Sequence, residues 1–120
     1  MIEAILYEKL PDDVVQCHVC QRRCLIKDSQ RGYCRTRLNR HGKLYSLIYG
    51  LVSTIMVSPI EKKPVYHFFP GSRWLSLGSY GCNFRCPGCQ NWDIAHSEVR
   101  EEIRFAKMTP PEELIKIAQK

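Results

Sequence analysis

The chain lacks an unbroken apolar run long enough to cross a membrane. Its longest mostly apolar stretch, Leu44 to Val57, is interrupted by Ser46, Gly50, Ser53 and Thr54 and falls short of the roughly 20 residues a membrane helix needs. No membrane partner is expected. An export signal is also lacking, because Met1-Ile2-Glu3-Ala4-Ile5 carries no basic segment and Glu3 would break the apolar one. A cytoplasmic setting is the expectation. Histidine is sparse, and nothing beside His67 in Tyr66-His67-Phe68-Phe69 would tune it as a base. His67 is therefore expected to be packed, and His41 to be a turn residue. An apolar fraction of 44% with 25% charged residues excludes a disordered chain.

What the chain has in quantity is cysteine. An odd number, seven, without an export signal is not a disulfide framework, since cytosolic thiols stay reduced and an odd set cannot all pair. Metal is the leading explanation. Cys17, Cys20, Cys24 and Cys34 form one group; Cys82, Cys86 and Cys89 form a second, and together the two groups use every cysteine.

The formal charge of +6, with Arg22, Arg23, Arg31, Arg35, Arg37 and Arg40 around the first group, raises the question of nucleic acid. That figure treats every thiol as neutral. Metal on four thiolates and a cluster core on three would bring the charge to about +3. Arginines beside thiolates also offset local negative charge. Nucleic acid is not the expected partner.

Residues Glu3 to Leu10 are expected to form a short helix ended by Pro11. From Val14 to Tyr49 the pattern is one of short extended pieces: Val14-Val15, Cys24-Leu25-Ile26, and a hairpin of Arg35–Asn39 with Lys43–Ile48 around Arg40-His41-Gly42. Leu51 to Val57 reads as another strand stopped at Ser58-Pro59, and Ile60 to Pro64 as an exposed turn. The aromatics Tyr66, Phe68, Phe69 and Trp74 are expected in a core. Trp74 to Gly78 suits a strand buried on both faces of a parallel sheet, with the second cysteine group in the loop at its end. Glu98, Arg100, Glu101, Glu102 and Arg104 read as a solvated charged face. Thr109-Pro110-Pro111-Glu112 is a capping box opening a helix whose apolar face is Leu114, Ile115, Ile117 and Ala118.

Cys82-x3-Cys86-x2-Cys89 places three thiolates in one loop. A 4Fe-4S cluster normally takes four cysteines, so three leave one iron open, and an open position is what makes a metal site catalytic. Gly78, Gly81 and Pro87-Gly88 permit the tight path of a wrapping loop. The spacing also admits a zinc knuckle completed by a histidine such as His96. Cys17-x2-Cys20-x3-Cys24-x9-Cys34 offers four thiolates, a closed sphere suited to structural zinc or an auxiliary cluster. His18 reads as an exposed neighbour of those ligands and not as a fifth one.

Gly81-Cys82-Asn83-Phe84-Arg85-Cys86-Pro87-Gly88-Cys89-Gln90-Asn91 resembles the cluster loop of radical S-adenosylmethionine (SAM) activating enzymes. Gln30 to Cys34, Leu44 to Leu47, Ile60 to Pro64 and Tyr66 to Ser72 resemble the radical-SAM member of the AmmeMemoRadiSam system, a group often labelled pyruvate formate-lyase activating enzyme-related. The likeness covers nearly the whole chain and about the first third of the family's length. Gly88 stands where the family commonly has an aromatic residue near the SAM adenine, and the family's Gly-Gly-Glu type motif is absent from these 120 residues.

The resemblance implies an enzyme in which Cys82, Cys86 and Cys89 hold a 4Fe-4S cluster, with SAM as cosubstrate and a reductant such as ferredoxin or flavodoxin. SAM would be cleaved to a 5′-deoxyadenosyl radical. The fold it implies is α/β: a β-rich four-cysteine metal module over residues 1–72, followed over 73–120 by the first strand-loop-helix unit of a partial (β/α) barrel. The chain then reads as truncated or split, inactive alone and completed by a missing C-terminal barrel segment or a separate chain. The alternative is a non-catalytic zinc-ribbon module that binds nucleic acid or protein through its arginines.

Overall fold

A computed structural model of the chain describes residues 1–96 and 108–119. One local element is a hairpin. Strands β5 (Arg37–Arg40) and β6 (Lys43–Ser46) pair antiparallel with Arg40 opposite Lys43. The two residues between them, His41 at φ +51° and Gly42 at φ +69°, make the left-handed turn that matches strand twist. Strand β1 (Ile2–Glu3) joins the far edge of β6.

A second sheet runs in the order β2 (Tyr7–Lys9), β3 (Val15–Cys17), β4 (Leu25–Ile26), all antiparallel. Between the two sheets lies a small core of Val15, Cys17, Ile26 and Leu44, flanked by Ala4, Tyr7 and Cys24. Asn39, fully buried, joins the sheets: its Nδ2 donates to the carbonyls of Asp13 at 2.6 Å and Ile26 at 2.7 Å. One core member, Cys17, and one flanking residue, Cys24, are cysteines, so thiols sit where the two sheets meet.

The third sheet is a two-stranded ladder, β7 (Thr54–Pro59) against β8 (Arg73–Gly78), with Thr54 opposite Gly78 and Pro59 opposite Arg73. A 3-10 turn at Ile60–Lys62 follows β7. One face of the ladder buries Ser58 and Ser76, whose hydroxyls lie 2.9 Å apart. Helix α1 spans Trp92–His96 and helix α2 Pro111–Ala118.

The fold is therefore mostly β, with three small antiparallel sheets and two short helices among the described residues. This corrects the α/β expectation. Strand β8 does not open a parallel barrel: its ladder partner is β7, whose Thr54-Ile55-Met56-Val57 run offers an antiparallel edge close in sequence. A parallel pair would need a crossover and a second strand after it. Nor is β8 buried on both faces, since Trp74 is 40% and Leu77 49% exposed.

The helix expected over Glu3 to Leu10 is replaced by β1 and β2. A helix this short is marginal without packing, because its first turn is costly to nucleate, whereas β6 and β3 present ready ladder partners. The aromatics expected in a core are exposed, Tyr66, Phe68 and Phe69 each by half or more. They pack on one another, with Phe68 edge-on to Phe69 at 4.7 Å and tilted toward Trp74 at 5.9 Å. His67 is likewise exposed. Helix α2 forms where expected, but its N-cap is Pro110, because Thr109 is held extended by its N–H donating to the Gly50 carbonyl at 2.7 Å. The charged run from Glu98 to Arg104 lies outside the described residues.

Candidate metal centre

Two tight turns present the first cysteine group. Arg23 donates its N–H to the Cys20 carbonyl at 3.2 Å, and Arg35 to the Gly32 carbonyl at 2.8 Å. Both arginines sit in the left-handed region, at φ +46° and +62°. That conformation costs a non-glycine residue about 1–3 kcal/mol and persists where surrounding contacts over-determine it. The turns carry Cys20, Cys24 and Cys34 to the end of β3, where Cys17 stands and its N–H bonds the Cys24 carbonyl at 2.9 Å.

All four thiols line one cavity of about 430 Å³, together with Cys82 from the second group. Arg22 and Arg37 line it too, and no carboxylate does. Arg37 spends one terminal nitrogen on the Thr36 carbonyl and hydroxyl and on the Ser46 hydroxyl, but its Nε is buried without a partner. A cavity walled by five thiols, two guanidinium groups and an orphaned N–H suits negative charge, which neutral thiols do not supply and metal-bound thiolates do. Burial pushes the Cys17 thiol up, with Cys34 and Cys24 adding to the shift while the Val19 N–H and Arg37 oppose it. As they stand, no three His, Cys, Asp or Glu side chains among the described residues close into a metal-holding group. The thiols share a void and would have to turn inward, since zinc–sulfur bonds of about 2.3 Å bring four sulfurs to roughly 3.8 Å of one another.

The second group is divided by the fold. Cys82 faces the cavity of the first group, while Cys86 is exposed and Cys89 half-buried, and neither lines that cavity. The loop that carries them is fastened to the first module at several points. The Arg22 guanidinium lies 3.4 Å over the Tyr33 ring and its Nε donates to the Asn83 carbonyl at 2.9 Å. Arg85 reaches the same ring at 4.5 Å and donates to the carbonyls of Tyr33 at 2.7 Å and Cys82 at 3.0 Å. Gly81, at φ +80°, leaves no room for a side chain: a Cβ there would overlap the Thr36 methyl and come within 2.7 Å of the Cys34 carbonyl oxygen.

With this geometry in view, two relatives can be placed beside the chain. Both are uncharacterized proteins of Methanocaldococcus jannaschii. MJ0808 is 48% identical over 118 residues, 98% of this chain and 35% of the relative. MJ0674 is 28% identical over 109 residues, 84% of this chain and 25% of the relative. The chain thus spans about a third of the one and a quarter of the other. No family model matches it, and neither does any solved structure.

Of the remaining sequence candidates, His18 is half-buried, with Nε2 3.4 Å from Gln16 Oε1 and 3.8 Å from Glu8 Oε2. His41 is the exposed turn residue expected. His96 stacks on Trp92 at 4.2 Å, and its carbonyl accepts from Arg35 at 3.4 Å. Tyr33 was not apparent from sequence. Its one local signal is its place immediately before Cys34.

Proposed function

We propose that this chain is the cluster-bearing part of a radical-SAM enzyme, with Cys82, Cys86 and Cys89 as the ligands of a 4Fe-4S cluster. The observation that carries the proposal is the Cys-x3-Cys-x2-Cys spacing within one loop, three thiols where four would close the coordination sphere. The loop suits the role. It has no regular secondary structure between Ser79 and Asn91, Cys86 is open to solvent, and Gly88 at φ +67° has no neighbour within 4 Å of where a side chain would start. The turn between the second and third ligands is therefore free to tighten around a group the size of a cubane.

A cluster bound there supplies the electron that cleaves SAM to methionine and a 5′-deoxyadenosyl radical. The chain's own residues hold the ligand loop against the four-cysteine module and supply cationic charge beside it, through Arg22 and Arg85. Contacts to SAM beyond the cluster fall to the rest of the protein or to a separate chain, and a small redox protein such as ferredoxin or flavodoxin is the electron source. The setting is cytoplasmic, in keeping with reduced thiols. No helix among the described residues is long and apolar enough to cross a membrane.

The competing nucleic-acid reading is not favoured by where its arginines lie. Arg22 and Arg37 line the cavity and Arg35 reaches the His96 carbonyl, so they are engaged with the protein itself. The proposal is tested by anaerobic reconstitution with iron and sulfide. The chain should turn brown and hold about four irons and four sulfides, and changing Cys82, Cys86 and Cys89 together to alanine should remove that iron with Cys17, Cys20, Cys24 and Cys34 intact. A colourless chain that takes up zinc and no iron would overturn the assignment.

A further inference from the structure

We propose that Cys17, Cys20, Cys24 and Cys34 close on a zinc-class divalent ion in the 430 Å³ cavity, and that this centre is the positioning device for the loop of Cys82 to Cys89. The second half deepens the function proposed above; the first half stands without it.

Three observations converge on the site. Four thiols from β3 and two tight turns face one void. Its charged lining is cationic only, and one of those cations, Arg37, has a buried Nε without an acceptor. Four thiolates on a divalent ion carry a net charge of about −2, which supplies what those guanidinium groups lack. The surrounding core is small, with Cys17 among its members and Cys24 packed against it, so closing the site crosslinks strands that bury little apolar surface.

The positioning role follows from where the clamp residues sit. Arg22 lies between Cys20 and Cys24 in sequence, and Tyr33 immediately precedes Cys34. An ion that fixes the two turns fixes both side chains, and those two receive the loop: Arg22 on the Asn83 carbonyl, and Tyr33 as the platform and acceptor for Arg85. Gly81 rests on the backbone of Cys34 itself. Movement of the turns is thereby coupled to movement of the residues on either side of Cys82.

The test removes the loop thiols, so that failure of cluster binding cannot imitate failure here. In the full chain carrying C82A, C86A and C89A, cobalt(II) should bind at one per chain with thiolate charge-transfer and tetrahedral d–d bands, and zinc should displace it. Amide exchange across residues 79–91 should slow by about tenfold on metal addition. Adding Y33A should leave cobalt stoichiometry unchanged and weaken that protection, and Y33F should restore it, because the ring and not the hydroxyl receives the arginines. Absence of cobalt and zinc uptake by a chain with intact β-sheet circular dichroism would overturn the metal site, as would uptake of iron and sulfide to the exclusion of zinc. Metal binding that leaves loop exchange unchanged, or loop protection undiminished by Y33A, would overturn the positioning role.

Discussion

Gly81 and Gly88 flank the same cysteines and share a positive φ, yet only one of them is crowded. Alanine at Gly88 meets nothing within 4 Å and should cost only the backbone penalty, about 1–2 kcal/mol. Alanine at Gly81 adds an overlap with the Thr36 methyl and the Cys34 carbonyl, so the chain should lose roughly a further 1–3 kcal/mol. Urea unfolding of the two variants side by side isolates the contact between the loop and the four-cysteine module. Equal losses would mean that the contact contributes nothing. The cysteines were legible in the sequence because spacing alone groups them. The roles of Tyr33 and Arg37 were not, because their partners come from other segments of the chain.

The β5–β6 hairpin illustrates an element whose stability depends on one surface carboxylate. Asp28 accepts the backbone N–H of His41 at 2.6 Å, directly at the turn, and the Ser29 hydroxyl at 3.3 Å. The His41 N–H is the largest cause holding the Asp28 carboxyl below its ordinary range. A depressed folded-state pKa means that the stabilisation is present above the unfolded value, about 3.9, and is lost as pH falls through the folded one. Asp28→Asn should therefore lower a thermal-stability profile above the unfolded carboxylate pKa and flatten its acid limb, where the native carboxylate would otherwise be titrated. An unchanged acid limb would show that the bond does not form in solution. The hairpin was readable in advance because a two-residue left-handed turn is a local matter of His41-Gly42. The segment Glu3 to Leu10 is not the helix its sequence suggests because a distant ladder partner for β1 and a nearby one for β2 outcompete a short helix.

Taken whole, the molecule is extended, with a radius of gyration of 16.5 Å against about 13.6 Å for a compact chain of this length. The β7–β8 ladder leaves apolar surface uncovered. Ile55 and Val57 are 39% and 52% exposed, and Leu77 across from Ile55 is 49% exposed, so one face of a two-stranded sheet carries apolar side chains to water. Exposed faces and free edges of this kind promote association. The isolated chain should self-associate in the micromolar range, read by sedimentation velocity, and Val57→Lys with Leu77→Lys should shift it toward monomer without lowering its melting temperature. A strictly monomeric parent would refute the reading of that face.

Composition, spacing and turn chemistry alone determined that the cysteines fall along the chain in a group of four and a group of three, that a hairpin turns at His41-Gly42, and that a helix starts near Pro111. Each rests on residues close in sequence, where geometry follows from local covalent preference. Only the tertiary structure decided that β8 pairs with β7 in place of opening a parallel sheet, and that Cys82 faces the cavity of the other cysteine group. It alone brought Arg22 to a carbonyl 61 residues away. Those outcomes depend on which distant backbone edges and charges meet, and no periodicity in a single chain records that choice.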